Sequence, residues 1–159
     1  MQFTYLACSI LPPLEFETQA VWIDLPIFIK KAVEARGFDV GASLHAANHA
    51  FCSVAAIEAL CDPGDLDCEH FGTMSMLNGL QPKRMLCYDR RPGGLGICET
   101  LAAAGSRTLK MAQEVLQSCA CSSPLGKGCP SCLLDGRCSH YNENLSKDGA
   151  VYLLGMLYT

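Results

Sequence analysis

Hydrophobic and polar positions along the chain first mark two short strand-like segments. Residues 16–24, FETQAVWID, alternate and include aromatic side chains, as half-buried β-strands do. Residues 84–89, RMLCYD, have the composition of a short buried strand. The segment FTYLACSI could pair with the first strand through a turn at Pro12 and Pro13. The pattern therefore predicts a small sheet.

Four other segments have the apolar spacing of helices. PIFIKKAVEARG begins with Pro26, a residue favoured in the first helical turn. Residues 41–60, GASLHAANHAFCSVAAIEAL, are apolar on nearly all sides, which predicts a central helix with Ser43 as its cap. A long helix is expected over 97–118 with Gly105 in its interior, and a terminal helix over NLSKDGAVYLLGMLY.

The remaining segments are rich in turn residues. CDPGDLDCEHFGTMSMLNGLQPKR, after the central helix, predicts an exposed loop. We find no internal repeat, low-complexity tract or linker, so residues 1–159 are expected to form one domain. Strands mixed with helices in this order favour an α+β fold, a small sheet packed with several helices, with a small α/β layer arrangement as the alternative.

Composition and charge narrow the setting. The net charge is −4 and the pI about 5.5, so any nucleic-acid site would have to be a local basic patch. No apolar run reaches the roughly 18–20 residues that span a bilayer, and the N-terminus lacks a secretory pattern. Eleven cysteines, an odd number, cannot all pair within one chain. We therefore expect a reducing compartment, nuclear or cytoplasmic, and reduced thiols.

Five of the cysteines lie within CACSSPLGKGCPSCLLDGRC, residues 119–138. A C-x2-C turn such as GCPSC directs backbone N–H groups at sulfur, and four thiolates close a structural tetrahedral zinc site. Buried thiols and a redox C-x2-C are alternatives, but a thioredoxin-type motif needs a strand before it and a helix after it. Metal is favoured, and the five candidate ligands are Cys119, Cys121, Cys129, Cys132 and Cys138.

Histidines offer a weaker metal pattern. His45 and His49 are four residues apart and share a helix face, but HAANH lacks the glutamate of the H-E-x-x-H motif. Hydrogen-bonded polar groups, in the interior or at an interface, are the simpler interpretation. His140 is an alternative ligand for the cysteine cluster.

A glycine-rich turn joins the second strand to the long helix in CYDRRPGGLGICE. N–H groups at Gly93-Gly94 could bind a phosphate, although a tight packing turn accounts for the same residues. The turn is locally basic around Asp89, so DNA-backbone contacts are expected from a small set of side chains. In the turn these are Arg90 and Arg91, and Lys127 in the cysteine segment is the third.

Several of these segments, taken in order, resemble one family. LEFETQAVWIDLP, SLHAANHA, LCDPGDLD, MLCYDRRPGGLGICE, CACSSPLGKGCPSC and C…NENLSKDGA are similar to the C-terminal MrfA zinc-binding (MZB) domain of superfamily-two DNA helicases of the MrfA and Hrq type. The resemblance spans about residues 14–150. It implies one structural zinc ion that clamps the C-terminal loop, with Cys138 as the rival to four ligands. Those ligands are Cys119, Cys121, Cys129 and Cys132.

The resemblance also implies a function. Full-length members are ATP-dependent 3′-to-5′ DNA helicases linked to DNA repair, with ATPase motifs in two upstream RecA-like domains. Those motifs are absent here, so the chain is expected to be a non-catalytic accessory domain that packs on the helicase core and meets DNA through its parent. No membrane or small-molecule substrate is expected. The alternatives are a protein-interaction zinc module without DNA contact and a C-x2-C thiol-redox protein.

Overall fold

A computed structural model describes residues 15–71, 83–121 and 126–159 of the chain. It has the predicted α+β architecture, three strands and five α-helices among the described residues. A single 3-10 turn, Pro63–Asp65, precedes the second strand. The elements are β1 Ala20–Asp24, α1 Ile27–Ala35, α2 Val40–Glu58, β2 Leu66–Phe71, β3 Arg84–Asp89, α3 Ile97–Ala104, α4 Ser106–Ser118 and α5 Lys147–Leu157.

The sheet is antiparallel with the strand order β1-β3-β2. Strand β3, predicted as a short buried strand, lies in the middle of the sheet, and its alternate residues are buried on one face. These residues are Met85, Cys87 and Asp89. The last of them, a carboxylate, ends the strand and points to the turn before α3.

Helix α2 is central, as its apolar composition predicts. It packs against α4, α5 and the sheet, and thirteen of its nineteen residues are buried. Close packing with α5 depends on Gly149, because a Cβ atom there would lie 2.1 Å from the Ser43 hydroxyl. No described helix is long and apolar enough to cross a bilayer.

Three local predictions differ from the structure. The N-cap of α2 is Asp39, whose carboxylate accepts from the Ala42 N–H at 2.7 Å, so the prediction of Ser43 as cap is wrong. Ser43 lies one turn inside the helix, where its hydroxyl donates to the Asp39 carbonyl. The expected exposed loop after α2 contains β2, because LDCEHF supplies the second partner of the central strand.

The predicted long helix over 97–118 is two helices. Gly105 separates α3 from α4 with φ 57° and ψ −128°, a conformation that glycine adopts without steric cost. The break lets α4 change direction and pack against α2 and α5. The predicted pairing of FTYLACSI lies outside the described residues.

Candidate metal centre

Two separate segments carry the cysteines predicted to bind metal. Cys119 ends α4 in extended backbone geometry, with φ −75° and ψ 112°, and Cys121 follows two residues later. Side chains at i and i+2 of an extended segment point to the same side. The completely buried Leu116 anchors the last turn of α4, which fixes where this pair begins.

The other two thiols belong to the turn at residues 128–132. Gly128 has φ +77°, and a Cβ there would lie 2.7 Å from the Cβ of Leu133, so this position requires glycine. The carbonyl of Cys129 accepts from the N–H groups of Cys132 and Leu133 at 3.1 and 2.9 Å. The Cys129 N–H in turn points at the sulfur of Cys132 across 3.4 Å.

The structure brings the four thiols together. Their sulfur atoms all lie within 4.8 Å of one another. The Sγ–Sγ separations are 3.6 Å for Cys119–Cys129, 3.7 Å for Cys121–Cys132 and 3.8 Å for Cys129–Cys132. A tetrahedron with Zn–S bonds of about 2.3 Å has edges of about 3.8 Å, so this donor set fits zinc.

Local hydrogen bonding and burial give the thiols unequal acidity. The backbone N–H of Ser131 lowers the pKa of Cys129 to about 7, helped by the neighbouring thiols. Burial raises the pKa of Cys132 to about 12. Because metal ligation requires thiolates, zinc would compete with protons for this group of sulfurs. Of Cys129 and Cys132, Cys129 ionises more readily.

Sequence comparison then assigns the family. The family model described as the MrfA Zn-binding domain matches residues 47–133, more than half of the chain. The chain belongs to the MrfA zinc-binding domain family. It is a zinc-binding domain, and the match ends one residue beyond Cys132. The assignment of the four thiols as the zinc ligands stays a prediction.

Relatives of this MrfA zinc-binding domain include two yeast proteins. The ATP-dependent helicase hrq1 of Schizosaccharomyces pombe is 29% identical over 161 residues, 91% of this chain and 14% of the relative. The ATP-dependent helicase HRQ1 of Saccharomyces cerevisiae is 25% identical, over 90% of this chain and 14% of the relative. The chain thus spans only 14% of the length of these relatives.

A solved structure shares the fold. The crystal structure of DUF1998 helicase MrfA bound to DNA matches with a TM-score of 0.61 and 23% identity, over 91% of this chain and 18% of that chain.

An uncharacterized protein of Methanocaldococcus jannaschii is 34% identical over 70 residues, which is 44% of this chain and 59% of the relative.

A lysine that sequence reasoning did not single out adjoins the cysteines of this MrfA zinc-binding domain. Lys147 begins α5, and its ammonium group donates to the Cys119 carbonyl at 2.7 Å and to the Cys121 sulfur at 3.4 Å. Burial acts to lower the pKa of Lys147, but the hydrogen bond to Cys121 and the nearby thiols outweigh it and raise the pKa. Only its place in the NENLSKDGA segment marked it in the sequence.

Cys138, the fifth candidate, lies in another cluster. Its sulfur is 3.3 Å from Nε2 of His45 and within 4.8 Å of a ring nitrogen of His49. The structure therefore groups Cys138 with the two helix histidines and places the other four cysteines together. The ring of His140, the alternative ligand, lies 5.5 Å from that of His45, centroid to centroid, on the side of this second cluster.

The glycine-rich turn has an internal anion. Asp89 is completely buried, and its carboxylate accepts from the N–H groups of Leu95, Ile97 and Cys98, the last two at 3.3 and 3.1 Å. These are the N–H groups at the start of α3 that a phosphate could have used. The arrangement is that of a tight strand-to-helix packing turn, the alternative that the sequence left open.

The three candidate DNA contacts lie in two parts of the fold. Arg90 and Arg91 follow β3 with half or more of each side chain exposed, and they pair with Asp67 at 3.8 Å and Asp65 at 3.1 Å. Lys127 is half-buried in the segment before the C-x2-C turn. Exposed ion pairs of this kind are worth about 0–1 kcal/mol, so the arginines can exchange carboxylates for phosphates at little cost.

Proposed function

We propose that this chain is a non-catalytic accessory domain of an ATP-dependent DNA helicase, built around one structural zinc ion. The proposed ligands are Cys119, Cys121, Cys129 and Cys132. The observation that carries the proposal is that three of the six Sγ–Sγ separations are 3.6 to 3.8 Å, the edge length of a zinc–thiolate tetrahedron, and that all four sulfurs lie within 4.8 Å of one another. Four protein ligands leave no position for water or substrate, which favours a structural role.

In this role zinc supplies folding free energy, since it would join residues ten and eleven positions apart, Cys119 to Cys129 and Cys121 to Cys132. Cys119 and Cys121 hold the end of α4. Zinc would hold the turn at 128–132 against these two cysteines. Lys147, at the start of α5, contacts both of them. α4 and α5 both pack on α2, so the centre stabilises the core of the domain at its C-terminal side.

The parent chain would supply the catalysis. The two yeast relatives are helicases about seven times longer than the region matched here, which supports a larger parent with its own ATPase domains. Ile27 and Phe28, at the junction of β1 and α1, are 73% and 64% exposed. Exposed apolar side chains of this kind suit packing against a helicase core. DNA contact through Arg90, Arg91 and Lys127, 3′-to-5′ polarity, a role in DNA repair and a nuclear or cytoplasmic location belong to the same proposal.

Zinc analysis of serine variants tests the centre. We expect each of four variants to lose one zinc equivalent relative to the unsubstituted protein and to unfold at lower denaturant concentration. These variants are Cys119→Ser, Cys121→Ser, Cys129→Ser and Cys132→Ser. Cys61→Ser is the matched control, because Cys61 is a half-buried free cysteine outside the cluster. Full zinc retention by any two of the four variants would overturn the ligand assignment.

A further inference from the structure

A second cluster of metal-ligand side chains lies between α2 and the loop at residues 135–144. We propose that His45, His49 and Cys138 form a second transition-metal site, suited to Zn²⁺ and to its spectroscopic substitute Co²⁺. The site is separate from the four-cysteine centre and does not depend on it. Their three ligand atoms lie within 4.8 Å of one another.

The separation between donors fits the ion. His45 Nε2 and Cys138 Sγ are 3.3 Å apart. A tetrahedral zinc ion with bonds of about 2.05 Å to nitrogen and 2.3 Å to sulfur has an N–S edge of about 3.6 Å. A shift of a few tenths of an ångström would bring the pair to that spacing.

Helix α2 places its two histidines side by side. They are four residues apart, both are buried, and their rings meet edge to face with centroids 4.5 Å apart. Burial lowers the pKa of His45 to about 4, and burial also lowers the pKa of His49. Neutral imidazole is the form of histidine that binds metal.

Hydrogen bonding orients the ring of His49. Its Nδ1 lies 3.0 Å from the Leu133 carbonyl oxygen, which can only accept, so Nδ1 carries the proton. Nε2 then has the lone pair. A ring N–H held by a backbone carbonyl is the usual outer-shell partner of a metal-ligating histidine.

The loop presents Cys138 in a preformed turn. The Asn142 N–H donates to the Cys138 sulfur at 3.4 Å. The Asn142 side chain bonds the backbone of Asp135 at both of its polar ends, each at 2.9 Å, and closes the loop. Tyr141, Asn142 and Asn144 all have positive φ, near 50–57°, a left-handed conformation that asparagine adopts more readily than tyrosine.

The three proposed ligands border a cavity of about 150 Å³, which leaves room for a fourth ligand. His140 and Glu69 also line this cavity, together with the three proposed ligands. Three protein ligands and one open position distinguish this site from the closed four-cysteine centre. A water molecule or an anionic group could occupy the open position.

Metal stoichiometry tests the proposal on the full-length protein. We expect two zinc equivalents per chain for the unsubstituted protein. Cys138→Ser and His49→Gln should each bind one, while keeping the intense charge-transfer absorption of Co²⁺ bound to four thiolates. Cys129→Ser should lose that absorption and still bind one ion. The control Cys61→Ser should keep both ions.

Failure of each site is separately visible. A single zinc equivalent in the unsubstituted protein, or two in the Cys138→Ser variant, would overturn the second site and leave the four-cysteine proposal intact. If the variants do not fold, X-ray absorption of the zinc-loaded parent decides instead. Two sites average about 2.5 sulfur ligands per zinc, whereas the four-cysteine centre alone has about four.

Discussion

The ammonium group of Lys147 lies 3.4 Å from the sulfur of Cys121 and 2.7 Å from the carbonyl oxygen of Cys119. Four thiolates around Zn²⁺ carry a net charge of −2, and this lysine places one positive charge beside them. The contact also connects the first residue of α5 to the end of α4, so charge compensation and helix packing coincide.

Replacement of Lys147 by methionine is expected to weaken zinc retention by about 10- to 100-fold, the usual effect of losing an outer-shell partner. Competition with a chromophoric chelator measures the change. Lys110→Met is the matched control, because Lys110 is exposed on α4 and pairs with Glu114. Equal zinc affinity for the Lys147 and Lys110 variants would remove Lys147 from the metal centre.

Asp89 is predicted to stabilise the turn between β3 and α3. Asp89→Asn replaces one carboxylate oxygen by an amide group that cannot accept, leaving a buried N–H of Ile97 or Cys98 without a partner. We expect the free energy of unfolding to fall by about 2 kcal/mol in urea titrations. Asp24→Asn, at the exposed end of β1, is the control and should change stability by well under half of that.

The pH dependence separates this effect from zinc binding. Burial acts to raise the pKa of Asp89, but its hydrogen bonds to Cys98, Leu95 and Ile97 hold the pKa below the usual value. Its contribution is therefore fully present above the unfolded pKa of about 3.9 and is lost as pH falls through the lower folded pKa. Between pH 8 and pH 5 the Asp89→Asn deficit should stay constant, while zinc-dependent stability declines because the thiolates take up protons. A deficit that shrinks across this range would contradict the assignment.

Charge reversal at Arg90 and Arg91 should weaken DNA binding by the full-length parent helicase. Each lost phosphate contact is expected to reduce the salt dependence of the binding constant by about one unit of slope. Stability should change little, since both side chains are exposed and their ion pairs are weak. Fluorescence anisotropy at several salt concentrations measures the slope, with Lys110→Glu as the control for net charge. Unchanged affinity and unwinding would rule out a DNA contact at this turn.

Local features of the fold were readable from the sequence for a physical reason. RMLCYD has the composition of a buried strand, and α2 is apolar on nearly all sides, so local composition identified both. The sequence did not predict β2, because the strand forms through pairing with β3 and its own flanks are rich in turn residues. The sequence did not predict the break at Gly105, because an interior glycine is compatible with either one helix or two.

By itself, the sequence determined the α+β class, the C-x2-C turn, the family resemblance and the five cysteines predicted to include the zinc ligands. Only the tertiary structure decided how those cysteines divide. Cys138 contacts His45 across 93 positions of the chain, and that contact depends on how α2 packs against the final loop. Spacing along a chain encodes which side chains are neighbours within a helix, strand or turn. The meeting of distant segments follows from burial of the whole core, which no local motif records.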